Sequence, residues 1–177
     1  MNLEKNGIKT PLQLALAAVF AALVCVATLA IVISIPATSG YFNLGETVIY
    51  IAALLFGPLV GAVAGGGGAM IADILVAVQF APGTLIIKGF EGAIVGFLNK
   101  KIQKITRSLT LSAAVSIIIG GLEMIAGYFI YEQLVLGYPF AAALVEVPFN
   151  IVQMLVGLGV AIPVMHIILR VFPQLKS

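Results

Sequence analysis

The chain has 177 residues, of which 62% are hydrophobic and 9% charged, and its mean hydropathy is +1.19. A water-soluble domain carries about a quarter charged residues, so this composition belongs in lipid; at roughly 20 residues per span it suffices for about six spans and leaves no room for a soluble catalytic domain. One cysteine (Cys25), one histidine (His166) and no tryptophan exclude a disulfide framework, a Cys/His zinc site and a haem or iron–sulfur centre built by this chain alone, so neither metal nor cofactor is expected. A net charge of +2 is too small for nucleic acid, which requires a dense basic stripe.

The first apolar run, Leu12 to Ile35, outlasts the roughly 7 to 15 residues of a signal-peptide core and reads as helix 1. Ile35-Pro36-Ala37-Thr38-Ser39-Gly40 has loop composition. Asn43-Leu44-Gly45-Glu46 has the form of a capping box opening helix 2, which runs to about Phe56. Gly57-Pro58 breaks that helix, and helix 3 extends from about Val60 to about Phe80. Its glycine run, Gly65 to Gly68, is no phosphate loop, because no Gly-Lys-Ser/Thr follows and no soluble strand precedes it. Gly57, Gly61 and Gly65 instead form a small-residue ladder, as do Gly92 and Gly96, and such ladders let helices approach closely in lipid. Ala81-Pro82-Gly83 is a turn, helix 4 covers about Thr84 to Phe97, and Asn99-Lys100-Lys101 closes it. Helix 5 covers about Leu109 to Ile130, Tyr131 to Leu144 form a longer connection, and helix 6 runs from about Val145 to Val171. The whole chain, 1–177, reads as a single all-α integral membrane domain of six transmembrane helices.

Lysine and arginine stay on the cytoplasmic side of a membrane. Lys5 and Lys9 precede helix 1, Lys100, Lys101, Lys104 and Arg107 lie between helices 4 and 5, and Arg170 and Lys176 close helix 6. With six spans these regions share one side, which makes both termini cytoplasmic and leaves Lys88 as the exception. Glu4 is cytoplasmic, whereas Glu46, Asp73, Glu91, Glu123, Glu132 and Glu146 fall toward the opposite side. A carboxylate at bilayer depth is costly unless neutralised, paired or wetted, so acids on several helices at similar depth point to a pocket open to the outside.

Glu146, Asn150 and Gln153 are spaced i, i+4, i+7 and share one face of helix 6; they line a cavity or bridge helices. Lys88 and Glu91, at i, i+3, form a structural pair, contact ligand, or do both, and an Asp73 to Lys88 bridge is the structural alternative for Asp73. Asn43 and Glu46 cap helix 2 or stand at the pocket mouth, with Tyr50 beneath the carboxylate. Glu123, Gly127 and Tyr131 read as a pocket wall of acid, gap and aromatic. Gln79, Phe80, Tyr128 and Tyr138 lie near the outer interface, where aromatic belts also occur. His166 is an interface residue and Cys25 a packing residue. In helix 1, Ala17 with Ala21 and Ala18 with Ala22 form small-xxx-small pairs that suit docking another helix, of this chain or of a partner.

Gly40-Tyr41-Phe42-Asn43-Leu44-Gly45-Glu46-Thr47-Val48-Ile49, then Ala52 to Gly61, Ala72-Asp73, and Ala81-Pro82-Gly83-Thr84-Leu85-Ile86-Ile87-Lys88-Gly89-Phe90-Glu91-Gly92 resemble the substrate-binding S component of an energy-coupling factor (ECF) transporter. Within that family the resemblance is to the group that includes riboflavin, hydroxymethylpyrimidine and pyridoxine binders. It implies a vitamin binder of the cell membrane, not an enzyme, that works with a transmembrane coupling (T) subunit and two ATPases and topples in the membrane. It further implies a pocket built mainly from helices 4 to 6 with loops 1 and 3 as lids, which adds weight to Lys88, Glu91, Glu123, Glu146, Asn150 and Gln153. Carried over, the family's A-x-x-x-A docking motif falls on Ala17, Ala18, Ala21 and Ala22. The excess of acids over Lys88 disfavours polyanionic ligands, and the absence of tryptophan makes a pyridine or pyrimidine vitamin the better expectation than riboflavin. An intramembrane enzyme lacks a nucleophile beside a base. An autonomous proton-coupled carrier, with Asp73 or Glu123 titrating, is the remaining alternative; it would be favoured by inverted repeats, and the sequence shows none.

Overall fold

The computed structural model describes residues 9–175; Glu4, Lys5 and Lys176, which entered the charge argument, lie outside them. Among the described residues the chain runs α1 (Lys9–Ala30), β1 (Ile33–Ile35), β2 (Gly40–Phe42), α2 (Gly45–Phe56), α3 (Pro58–Val76), α4 (Ala81–Thr106), α5 (Leu109–Leu134) and α6 (Phe140–Val171), followed by a 3₁₀ turn, Pro173–Leu175. Five of the helices are long and apolar enough to cross a membrane, and α2 is a shorter apolar helix. Their outward faces carry Leu23, Val26, Leu75, Phe90, Leu122 and Ile167, a surface suited to hydrocarbon rather than water.

Several boundaries differ from the sequence expectation. Helix 1 ends at Ala30, and Ile33–Ile35 pairs antiparallel with Gly40–Phe42, Ile33 opposite Phe42. The β-branched isoleucines suit a strand as well as a helix, and Pro36 supplies the break that lets the chain turn back. The expected capping box at Asn43 does not form: the N-cap is Leu44, without a side-chain cap bond. Asn43 Oδ1 instead accepts from the Gly45 N–H at 2.9 Å, and Glu46 is drawn into the interior by Lys88. Helix 3 stops at Val76 rather than Phe80. Helix 4 continues through Asn99-Lys100-Lys101 to Thr106 and ends where Arg107 turns left-handed at φ 54°. Most of the expected Tyr131 to Leu144 connection is helical, since α5 extends to Leu134 and α6 begins at Phe140.

Packing divides the bundle into two groups. Tyr50, Leu54, Ile87, Val95, Ile117, Met124, Met154 and Met165 join α2, α4, α5 and α6, while Ala17, Val24, Ile49, Ala52, Val60, Ala64 and Ala69 join α1, α2 and α3. The glycine ladder brings α3 and α4 together: a Cβ added at Gly61 would stand 2.6 Å from the Gly92 carbonyl, and one at Gly92 would overlap the Gly61 carbonyl. Between Ala64 and Gly68 the helix widens into a π turn. Gly65 and Gly66 there face the backbone of α4 and Gly68 faces the backbone of α1, so this glycine run serves helix packing, as such residues do in membranes.

The candidate substrate cup

Where α3, α4, α5 and α6 meet the β1–β2 hairpin, they line a narrow cup with a cavity volume of about 30 Å³. Tyr41 and Asn43 line it from the hairpin segment, Asp73 from α3, Lys88 from α4, and Glu146, Asn150 and Gln153 from α6, with the rings of Phe80 and Tyr128. The i, i+4, i+7 spacing on α6 accounts for that helix's contribution, because it stacks all three side chains on one face. Glu146, Asn150 and Gln153 are all buried. The basic residues Lys100, Lys101 and Lys104 lie toward the other end of α4.

Beneath the cup sits a buried charge cluster. Lys88 Nζ donates to Glu46, across 42 positions of sequence, and lies 3.4 Å from Glu91. Tyr50 donates its hydroxyl to Glu91 at 2.9 Å, and Gln153 Nε2 donates to Glu46 at 3.2 Å. The Tyr128 ring lies 5.6 Å from the ammonium, within cation–π range. A buried lysine is tolerable only with such partners, and two carboxylates around one ammonium leave no spare positive charge to attract an anion. The Lys88–Glu91 pair therefore forms, while the Asp73 to Lys88 bridge does not: Asp73 accepts from the hydroxyls of Tyr41 and Thr84, and Thr84 also meets Tyr128 at 2.8 Å.

The hairpin covers the cup and is bonded to it. Thr38 donates to Glu146, Gly40 N–H donates back to Thr38 at 3.1 Å, Tyr41 reaches Asp73, and Asn43 N–H donates to Gln153 Oε1 at 3.0 Å. Gly40 is needed here, because a Cβ at that position would overlap the Glu146 carboxylate. Burial, together with the Asp73 carboxylate beside it, pushes the Tyr41 hydroxyl far above the ordinary phenol range and keeps it a donor.

Of the residues selected from sequence, Asn43, Lys88, Glu146, Asn150 and Gln153 line the cup, and Glu46 and Glu91 lie under it. Glu123 and Tyr131 stand apart from its lining. One Glu123 oxygen is buried without a partner. Tyr131 packs over Gly83 and donates to the Gln79 carbonyl at 2.9 Å. Sequence reading missed Thr38, Tyr41 and Thr84; the signal for them was hydroxyl side chains flanking a glycine-bounded loop opposite intramembrane acids. In α1, Ala17 is buried in the chain's own core and Gly68 packs on the Ala21 backbone, whereas Ala18 and Ala22 face outward.

The family profile described as ECF-type riboflavin transporter, S component, matches residues 9–170. The chain belongs to that family. It is thus a membrane-integral S component, the substrate-binding part of an ECF transporter. A solved structure described as "Structure and mechanism of the S component of a bacterial ECF transporter" shares the fold with a TM-score of 0.67 at 22% identity, over 93% of this chain and 98% of that one. An uncharacterized protein in a gap 3′ region from Pyrococcus woesei is 43% identical over 105 residues, covering 59% of this S component and 68% of the relative.

Proposed function

We propose that this S component captures an uncharged, hydroxylated aromatic vitamin from outside the cell and hands it to a transmembrane coupling subunit and two ATPases for uptake. In this reading the chain is one domain of six spans, α2 being the short one, with both termini cytoplasmic and the hairpin end outside. The observation that carries the reading is the cup itself: Asp73, Glu146, Asn150 and Gln153 offer acceptors and amides to hydroxyl and ring-nitrogen groups, Tyr41, Phe80 and Tyr128 offer ring faces, and a hydrogen-bonded hairpin closes over them. Such a mixture of apolar rings and a few convergent polar groups is what small-molecule sites use.

Riboflavin is the leading ligand, because the family description names it and its polyhydroxyl chain matches the acceptors. The narrowness of the cup favours the pyridoxine- or hydroxymethylpyrimidine-sized rings expected from sequence, and they form the second reading. Ala18 and Ala22, exposed and one turn apart on α1, are the proposed contact for the coupling subunit; Ala17 and Ala21 belong to the chain's own packing. Liposome reconstitution tests the reading. The purified chain should bind vitamin without accumulating it, and uptake should begin only when the coupling subunit, ATPases and ATP are supplied. Uptake driven by a proton gradient alone would replace this reading with the autonomous carrier.

A further inference from the structure

One side of the cup is built on a single chain of hydrogen bonds. Tyr41, on the hairpin, donates its hydroxyl to Asp73 Oδ1, and Thr84, on α4, donates to Asp73 Oδ2. Thr84 Oγ1 also lies 2.8 Å from the Tyr128 hydroxyl of α5. Tyr41, Asp73 and Tyr128 line the cup, whereas Thr84, 1% exposed, is outside its lining.

The hydrogens of this chain can be assigned by counting. A threonine hydroxyl has one hydrogen, and a carboxylate has none to give. Two oxygens at hydrogen-bond distance need a hydrogen between them, so the Thr84 hydrogen lies toward Asp73. The contact between Thr84 and Tyr128 is then made by the tyrosine's hydrogen. Both tyrosine hydroxyls are thereby committed within the protein as donors, and Tyr41, Asp73 and Tyr128 leave only lone pairs for a ligand. The α6 side differs, because the Asn150 amide there carries both a donor and an acceptor.

We infer that Thr84 is a positioning residue that fixes the hydrogen-bonding polarity of the cup. By taking the Tyr128 hydrogen and giving its own to Asp73, it makes the side formed by Tyr41, Asp73 and Tyr128 an acceptor-only wall. That wall selects a ligand presenting hydroxyl or N–H hydrogens to it and rejects one presenting a carbonyl, ether or carboxylate oxygen. The inference deepens the reading of the cup as the capture site and rests on it. A ligand oxygen facing this wall loses its hydrogen bonds to water and meets no donor in exchange, which is the costly case for a buried polar group; a hydroxyl replaces the bonds it loses.

Ultraviolet resonance Raman spectroscopy of the ligand-free, full-length chain tests the assignment of hydrogens whether or not a vitamin binds. The tyrosine doublet of Tyr128, isolated by subtracting the spectrum of Tyr128→Phe, should carry the signature of a donating phenol. It should be kept in Thr84→Ser and shift in Thr84→Val. An accepting signature in the wild type, or a doublet that Thr84→Val leaves unchanged, would overturn the inference. Binding tests the consequence, with riboflavin, pyridoxine and hydroxymethylpyrimidine each measured beside the methyl ethers of its hydroxyl groups, taken one at a time. For the vitamin that binds, methylating the hydroxyl at this wall should weaken binding about tenfold or more in the wild type and in Thr84→Ser. In Thr84→Val, whose freed Tyr128 hydrogen can meet the ether oxygen, the penalty should shrink to about threefold or less. Valine matches threonine in size and position 84 does not line the cup, so a steric penalty would be the same in all three chains. Equal penalties at every position would overturn the inference. Binding of none of the vitamins would instead refute the capture reading and leave the Raman signature to decide the assignment.

Discussion

The backbone N–H of Asn43 donates to Gln153 Oε1 at 3.0 Å, and Gln153 in turn donates to Glu46 at 3.2 Å, so one amide side chain on α6 ties the segment after the hairpin to the buried charges below the cup. Gln153→Ala should remove both bonds while leaving the helix intact. Vitamin affinity is expected to weaken by about 1 to 3 kcal/mol, the usual cost of lost buried polar contacts, as read by titration calorimetry in detergent. Affinity equal to the wild type would show that the amide is only a strut.

Lys88→Met should be far more damaging. It leaves Glu46 and Glu91 buried without a cation, and breaking one side of a buried ion cluster costs about 3 to 5 kcal/mol. Thermal denaturation should show the loss, and adding Glu46→Gln and Glu91→Gln to the same chain should restore much of it. A triple variant no more stable than Lys88→Met would mean that Lys88 acts through something other than those two charges.

Two glycines should respond in opposite ways to the same substitution. Gly92→Ala places a methyl into the Gly61 backbone, where nothing flexible can yield, and should destabilise the α3–α4 contact by about 1 to 3 kcal/mol. Gly159→Ala meets nothing within 4 Å and should stabilise α6 by about 0.5 to 1 kcal/mol through the ordinary helix preference for alanine. Paired melting curves distinguish the two positions.

On α1 the contrast lies between neighbours. Ala17→Leu enlarges a side chain that is 1% exposed and should impair folding. Ala18→Leu and Ala22→Leu enlarge exposed positions and should spare folding and vitamin binding while abolishing ATP-driven uptake with the partner subunits. Normal transport by both variants would remove the proposed docking face.

What the sequence disclosed, and what it concealed, follows from the range of the interactions. Glu146, Asn150 and Gln153 were readable as one wall because helical periodicity acts over a few residues, and Lys88 with Glu91 were readable as a pair for the same reason. The bond from Lys88 to Glu46 spans 42 positions, and no local pattern favours it over Asp73, so from sequence Glu46 reads only as a helix cap or a residue at the pocket mouth. The hairpin was hidden because Ile33, Ser34 and Ile35 continue the apolar character of α1, and only pairing with Gly40–Phe42 reveals them as a strand. Glu123 and Tyr131 lie on α5 with the expected spacing, but helix rotation turns them away from the cup lining, a rotation set by how Gly120, Gly121 and Gly127 seat against α4 and α6.

Equilibrium binding of riboflavin, pyridoxine and hydroxymethylpyrimidine to the purified chain, wild type beside Asn150→Ala, tests the capture cup most directly. One of the three should saturate a single site on the wild type, and Asn150→Ala should weaken it by about fivefold or more. No saturable binding by any of them, or binding that Asn150→Ala leaves unchanged, would contradict the account.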